Sequence, residues 1–426
     1  MSFTTVSRAC PNCAAPIESD SRFTDWCPGC DWNLGAEAPA PGRRAERCRA
    51  RDRARVEALY QRLAASESQE SGRHGAAWLA AVLIAGLVHL WTLAVLAGSL
   101  WLLLQPAAPL KGLGVVGLAL AWLLRPRLGR WRRDPAALDR DRAPALYALL
   151  DRTADQLGTR RPDRIRITGA WNASYRRAGL RRRVEVTLGL PLWTVLTGPE
   201  RIALLGHELG HGSNGDARRG FWLETALRTL EAWYQLLTPR SGEAFLGYRA
   251  RRAATDALAS ALLNWLALPV RWVHGVLYRL TMRSSQRAEY RADDLAARAG
   301  SSADAATMLG KLLLGPGVAT RITQQRAAHQ HTRPGAGEDP AERFWTGLRE
   351  YVDSIPGTER ERRARLGERG MSAVDTSHPP THLRVRMRAE RPAQAALVTA
   401  DATEWDAIHA ELAPARRRVA EQLLGI

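Results

Sequence analysis

The run His207-Glu208-Leu209-Gly210-His211 places two histidines four residues apart, with a glutamate beside the first. Just upstream, Thr197-Gly198-Pro199-Glu200 offers a cap, a first-turn proline and an acidic residue, so we expect the run to be helical. Histidines at positions i and i+4 project from one helical face and can occupy two corners of a zinc site. Glu208 can then take a proton from a zinc-activated water, which is the chemistry of peptide hydrolysis.

A third metal ligand must come from elsewhere, because the short run alone arises by chance in many chains. The extended metzincin pattern needs Gly and His where this chain has Asn214 and Ala217, so that class is excluded. A glutamate from a later helix is the other common solution. Residues 285–293 supply Glu289, which shares a predicted helical face with Asp293.

Composition favours a folded protein of two to three domains with a membrane association. The chain has 426 residues, 46% hydrophobic and 24% charged, with a formal net charge of +18. Nearly all of its 61 basic residues are arginines, because only Lys111 and Lys311 are lysines. The arginines are spread over the chain, which disfavours a nucleic-acid partner and favours a protein that holds Arg at the cytoplasmic side of a membrane.

The first 35 residues are predicted to form a zinc ribbon. Cys10-Pro11-Asn12-Cys13 and Cys27-Pro28-Gly29-Cys30 are two Cys-x-x-Cys turns, each able to present two thiolates to one tetrahedral zinc ion. No apolar signal precedes them, so we expect a reducing compartment, where metal binding is favoured over disulfides. A redox dithiol or a disulfide pair is the alternative.

Residues 75–124 are predicted to be a transmembrane hairpin, preceded by a basic linker and polar helix at 36–74. Residues 76–104 would run about 40 Å as a helix, and Gln105-Pro106-Ala107-Ala108-Pro109 separates them from a second, shorter apolar segment. Arginine clusters flank both ends, which predicts a multi-pass protein of the cell (plasma) membrane with ribbon and C-terminal domain in the cytoplasm. A buried helical hairpin of a soluble protein is the alternative.

Residues 135–426 are predicted to be an α+β domain that is mainly helical. Residues 164–168 and 183–188 alternate as strands and suggest a small antiparallel hairpin or meander. Helices dominate afterwards, and residues 256–282 are either a second membrane-associated element or an amphipathic helix of the domain. We expect residues 331–370 to be loop-like, with the charged run at 359–365 a solvated face.

Residues 145–390 resemble the HtpX-like and CaaX-prenyl-protease-type membrane gluzincins, a family of zinc metalloproteases. The resemblance rests on five ordered matches: Asn172-Ala173-Ser174, Leu205-Gly206 with the His207 to His211 run, Asn214 with Asp216, Glu289-Tyr290-Arg291-Ala292-Asp293, and Ser377-His378-Pro379-Pro380 with Arg384. It implies a gluzincin-type domain. The appended ribbon is a departure from HtpX itself.

The resemblance also implies roles for the matched residues. His207, His211 and Glu289 would bind the catalytic zinc, Glu208 would be the general base, and Asp293 would orient a ligand imidazole. His378 with Arg384 resembles the family's group that stabilises the substrate or the transition state, the alternative being a loop histidine. Residues 172–175 resemble an edge strand on which a substrate could pair, or else form an ordinary turn.

The sequence therefore predicts a membrane-anchored zinc endopeptidase with one catalytic and one structural zinc, acting on membrane or membrane-proximal polypeptides. The resemblance adds a role in protein quality control. Two alternatives stay open: a non-proteolytic membrane adaptor that uses the ribbon to bind a partner, and a CaaX-type prenyl-peptide protease.

Overall fold

The computed structural model describes residues 6–35, 43–65, 76–126, 131, 134–179, 181–213, 217–238, 252–331, 339–370 and 378–426. The described strands are β1 (Val6–Ala9), β2 (Pro16–Ser19), β3 (Ala137–Leu138), β4 (Arg164–Thr168), β5 (Ala173–Ala178) and β6 (Arg183–Gly189). The described α-helices are α1 (Arg43–Ala64), α2 (Ala76–Leu103), α3 (Ala108–Leu124), α4 (Pro144–Gln156), α5 (Leu190–Val195), α6 (Gly198–Ser213), α7 (Ala217–Leu237), α8 (Arg252–Ala299), α9 (Ser302–Leu312), α10 (Gly315–His331), α11 (Pro340–Asp353), α12 (Gly357–Gly370), α13 (Thr381–Glu390) and α14 (Ala402–Leu424). The described part of the protein is mostly helical, as predicted. It has a small four-stranded sheet in addition to the two-stranded hairpin of the ribbon.

The chain divides into two compact units. The first comprises residues 1–69, 131–213 and 286–426, and it holds the ribbon, the sheet and α6. The second comprises residues 70–130 and 214–285, and it holds α2, α3 and α7. Helix α8 contributes residues to both, and it runs without a break through residues 256–282 and 285–293, which the sequence suggested as two separate segments.

The sheet of the first unit has the strand order β3-β4-β6-β5. Two of its three pairings are antiparallel, but β4 and β6 run parallel, so residues 164–168 and 183–188 do not pair with each other as the expected antiparallel hairpin or meander would require. The reason is the intervening strand β5, which reverses the chain before β6 inserts between β4 and β5. Strand β5 consequently lies at the edge of the sheet.

Helix α6 is packed inside the first unit and meets the end of α8 closely. Its residues from Glu200 to Gly210 are all buried. A Cβ on Gly206 would lie 2.5 Å from Ala299 Cβ, and one on Gly210 would lie 2.9 Å from Ala292 Cα. Since real side chains are never that close, these two glycines are what lets α8 approach α6 and bring Glu289 to the histidines.

Residues 340–370 form two helices, so the prediction of a loop there was wrong. Helix α11 begins where the Asp339 side chain accepts from the Ala341 N–H, and its apolar face is buried. In α12, Glu359 and Arg362 are buried and paired with each other, which also corrects the prediction of a solvated face. Because the two residues are three positions apart on one helix, their side chains lie side by side and neutralise each other without solvent.

The ribbon consists of the β1-β2 hairpin and the two cysteine turns, and it is docked on α12. Arg365 donates to Pro28 O and to Asp31 Oδ1, both at 2.7 Å, and Arg362 Nη1 donates to Leu34 O at 3.0 Å. Trp26 Nε1 donates to Thr358 O at 3.2 Å. The charged run at 359–365 thus supplies several of the contacts that hold the ribbon.

The second unit contains the apolar helices. Helices α2 and α3 pack so closely that a Cβ on Gly117 would lie 2.2 Å from Ser99 Oγ. Within the described residues, only α2 is long and apolar enough to cross a membrane, as judged by length and composition, and α3 is a shorter apolar helix. Trp233 of α7 donates to Leu124 O at 3.0 Å, which ties α7 to the end of α3.

Candidate active site

Four metal-binding side chains of the first unit come together from three parts of the chain. His207 and His211 lie on α6, Glu289 lies on α8, and His378 precedes α13. One donor atom from each lies within 4.8 Å of the others. We call this set the histidine cluster. The three ligands implied by the resemblance are therefore brought together, with His378 beside them.

The spacing of these donors suits a zinc ion. Glu289 Oε2 lies 3.6 Å from His207 Nε2 and 3.3 Å from His378 Nε2, and Glu289 Oε1 lies 3.7 Å from His211 Nε2. Ligands at tetrahedral corners, about 2.0–2.2 Å from zinc, are roughly 3.3–3.6 Å apart. Burial lowers the pKa of both His207 and His211, which favours the neutral form that binds metal.

Asp293 fixes the orientation of His207. Its Oδ1 lies 3.1 Å from His207 Nδ1, so the other ring nitrogen is turned towards the cluster. Arg384 donates to both Asp293 oxygens, from Nη2 at 2.6 Å and from Nε at 2.8 Å. Burial alone would raise the pKa of Asp293, but the charge and hydrogen bonds of Arg384 bring it well below its ordinary value. Asp293 thus stays ionised.

Arg384 contacts the histidine cluster as well as Asp293. It is 1% exposed, its closest partner is Asp293, and its Nη2 lies 3.4 Å from His207 Nε2 and 3.8 Å from Glu289 Oε2. The resemblance implied that His378 with Arg384 stabilises the substrate or the transition state. The contacts of Arg384 are with Asp293 and with two of the implied ligands, and its role towards a substrate stays a prediction.

Glu208 lies beside the cluster on α6 and is 5% exposed. Burial raises the pKa of its carboxyl group to about 8, while the charge of Arg384 and a hydrogen bond from the Tyr175 N–H act in the opposite direction. A cation in the histidine cluster would also lower the pKa of Glu208, against the effect of burial, and would favour the ionised base. Glu208 is therefore placed to exchange a proton near neutral pH.

The edge strand β5 borders this site. Asn172 O accepts from the Gly189 N–H, and the register continues along β6. The backbone N–H and C=O groups of residues 172, 174 and 176 therefore point towards β6. The residues between them, Ala173, Tyr175 and Arg177, turn their backbone groups away from β6. Arg177 Nη2 donates to Gly212 O at 2.9 Å, which holds β5 against the end of α6. Residues 173–175 belong to the edge strand β5, which begins directly after Asn172, so the segment is not an ordinary turn.

Comparison with known proteins agrees with this geometry. The family profile described as peptidase family M48 matches residues 142–391, more than half of the chain. The chain belongs to peptidase family M48. No curated protein and no solved structure matches it.

Membership of family M48 makes the protein a zinc metallopeptidase, and it confirms the resemblance inferred for residues 145–390. Three residues of that resemblance, Asn214, Asp216 and Ser377, lie outside the described residues. Among the other matched positions, His207, His211, Glu289 and His378 form the histidine cluster, and Asp293 and Arg384 contact it.

The four ribbon cysteines form a second possible metal site of this M48 peptidase. Cys10 Sγ lies 3.7 Å from Cys30 Sγ, and Cys13 Sγ lies 3.6 Å from Cys27 Sγ. Four thiolates about 2.3 Å from one zinc ion are roughly 3.8 Å apart, so these distances fit a tetrahedral site. The cysteines are not joined as disulfides.

We predict that Asp293→Asn lowers zinc affinity at the histidine cluster by about 10- to 100-fold. Asparagine cannot hold the His207 N–H as a carboxylate does, and it leaves buried Arg384 without its ionic partner. Competition with a chromophoric chelator measures the affinity. Asp294→Asn is the matched control, because Asp294 pairs with Arg388 and Arg391 instead. Wild-type affinity in Asp293→Asn would contradict the assignment.

Proposed function

We propose that this M48 peptidase is a membrane-anchored endopeptidase that cleaves membrane or membrane-proximal polypeptides. The observation that carries the proposal is the position of Glu208, a buried carboxyl group on the helix that also supplies two histidines of the cluster. A ligand set with a neighbouring base and an oriented imidazole is what zinc-assisted hydrolysis requires.

In the proposed hydrolysis, the metal ligands, Glu208 and the Tyr175 backbone have separate roles. Zinc, held by His207, His211 and Glu289, would polarise the scissile carbonyl and acidify the attacking water. Glu208 accepts a proton from that water as its oxygen attacks the carbonyl carbon. The same carboxyl group then delivers the proton to the leaving nitrogen as the C–N bond breaks. The Tyr175 N–H keeps Glu208 in position between these two transfers.

The edge of β5 offers a place for the substrate backbone. Its outward-facing N–H and C=O groups, at Ala173 and Arg177, can pair with an extended peptide as an added strand. Such a peptide would run past Glu208, since Tyr175 of the same edge contacts that carboxyl group. His378, the cluster member that is not one of the three implied ligands, is the one that we propose to face the substrate carbonyl; its Nε2 lies 3.3 Å from Glu289 Oε2.

Membrane anchoring is supported by the surface of the second unit. Helix α2 has 28 residues, about 42 Å, and large apolar side chains are exposed on α2, α3 and α8. A soluble protein rarely exposes so much contiguous apolar surface. The exposed residues of α8 are Leu262, Trp265, Leu266, Leu268 and Trp272, which supports membrane association of residues 256–282.

The arginine clusters that flank residues 75–124 support a cytoplasmic position for the ribbon and the peptidase domain. A protease held at that surface can reach damaged membrane proteins, which is consistent with a role in quality control. This role follows the family resemblance. Zinc in both metal sites, two ions per chain, is likewise part of the proposal.

The test is proteolysis by the purified protein in detergent, with casein and the protein itself as substrates. We expect cleavage that a chelator stops and added zinc restores. Absence of chelator-sensitive cleavage would favour the adaptor alternative. A matched pair of peptides, farnesylated and unmodified, addresses the other alternative: equal cleavage supports a general endopeptidase, and cleavage of the farnesylated peptide alone supports a CaaX-type protease.

A further inference from the structure

Outside the histidine cluster, three arginines converge on the last turn of α5. Arg201 Nε donates to Trp193 O at 2.9 Å, and Arg349 Nε donates to Thr194 O at 3.2 Å. Arg416 Nη1 lies 3.5 Å from Thr194 Oγ1. We call these residues, from α6, α11 and α14, the arginine triad. Three distant segments of the chain therefore bring positive charge to two consecutive residues.

The triad carries more positive charge than its surroundings neutralise. Within the described part of the chain, Arg201 and Arg349 form no ion pair with a carboxylate. The third arginine pairs with Glu342 at 3.2 Å, but the Glu342 side chain is 60% exposed and its charge is screened by water. The acid next to Arg201 in sequence, Glu200, is paired with Lys311 at 2.7 Å, and its charge raises the pKa of Arg201 by less than burial and the other two arginines lower it.

Arg201 bears the largest cost of this imbalance, because it is 5% exposed. Burial, and then the charges of the other two arginines, lower its pKa to about 10. His409 Nε2 lies 3.1 Å from Arg201 Nη1, and burial together with the same charges lowers the pKa of His409, which favours a neutral acceptor. The rings of Trp193 and Trp405, each 5.3 Å from the guanidinium carbon, offset part of the cost.

A purely structural role would have the arginines cap the carbonyl groups at the end of α5. Neutral carbonyl groups and aromatic rings satisfy hydrogen bonds and supply partial charges, but they do not balance three full charges. The other two arginines are accessible to solvent, since Arg349 is exposed and the Arg416 side chain is 13% exposed. A small anion could therefore reach the triad from solvent.

We propose that the arginine triad binds a phosphate group. Phosphate carries up to two negative charges and presents several acceptor oxygens, which match the planar donor fork of a guanidinium. The group could belong to a free phosphate or phosphorylated small molecule, or to the headgroup of an anionic phospholipid. The site is separate from the histidine cluster, because none of the triad is a cluster member.

The test uses the full-length protein in nanodiscs of phosphatidylcholine. Its thermal unfolding midpoint is followed while inorganic phosphate replaces chloride at constant ionic strength. We expect the midpoint to rise with phosphate, and the double variant Arg349→Gln/Arg416→Gln to need about tenfold more phosphate, or still more, for the same rise. Arg298→Gln, at another exposed arginine, is the matched control and should respond as the wild type does.

A second arm separates the two sources of phosphate. Nanodiscs that contain phosphatidylglycerol, without free phosphate, should stabilise the wild type more than the double variant if the headgroup is the ligand. The single variant Arg349→Gln, at an exposed position, gives the same comparison should the double variant not fold. The proposal is overturned if wild type and variants respond alike in both arms, or if neither source stabilises the wild type.

Discussion

Glu208→Gln should reduce proteolysis by about 10³-fold while zinc remains bound. The amide keeps the size of the side chain and its place on α6, but it cannot accept a proton from the attacking water. Glu208 is not among the four residues of the histidine cluster, so the metal site keeps its donors. Initial rates on casein, with zinc content measured on the same preparations, check both halves of this expectation.

A matched control for this variant is Glu224→Gln, which removes a half-exposed carboxylate paired with Arg228 on α7. It should leave the proteolytic rate within about twofold of the wild type, because surface ion pairs contribute little. Wild-type activity in purified Glu208→Gln would refute Glu208 as the base. Loss of zinc from that variant would instead show that Glu208 supports the metal site.

Replacing Cys10 and Cys13 by serine should lower the zinc content from about two ions per chain to about one. Two of four thiolates are then missing, and a pair of cysteines does not hold zinc against competing ligands. The ribbon should also loosen, because a domain of this size has little core without its metal. We expect faster hydrogen exchange in residues 6–35, and in α12, whose Arg365 contacts Pro28 and Asp31.

The control is Cys48→Ser, which changes the one cysteine outside the two pairs and should keep about two zinc ions. Metal analysis of the desalted protein gives the counts. An unchanged zinc content in the Cys10→Ser/Cys13→Ser variant would exclude a four-cysteine site. Unchanged hydrogen exchange in α12 would show that its docking does not depend on the metal.

Much of the site could be predicted because helical spacing fixes geometry. His207 and His211 share a face at i and i+4, and Glu289 and Asp293 repeat that spacing on another helix. The structure brings both pairs together at 3.1 to 3.7 Å. The role of Gly206 and Gly210 could not be predicted from the sequence. It follows from the packed structure, where α8 occupies the space beside both glycines.

The predictions that failed concern strand pairing and contacts between distant segments, which the local sequence does not determine. Alternating residues identify β4 and β6 as strands, but their parallel pairing depends on β5 and on the order in which the strands assemble. The pairing of Arg384 with Asp293 was not predicted at all, because the two are 91 residues apart and nothing near either one in sequence indicates it. The charges of α12 suggested a solvated face, yet contact with the ribbon and with one another buries two of them.

The most direct test of the account is X-ray absorption at the zinc edge on the Cys10→Ser/Cys13→Ser variant, in which only the histidine cluster should retain zinc. We predict a first shell of nitrogen and oxygen alone, at about 2.0–2.2 Å, with the outer-shell scattering of imidazole. A sulfur shell near 2.3 Å, or no bound zinc at all, would contradict the assignment of the catalytic metal to His207, His211 and Glu289.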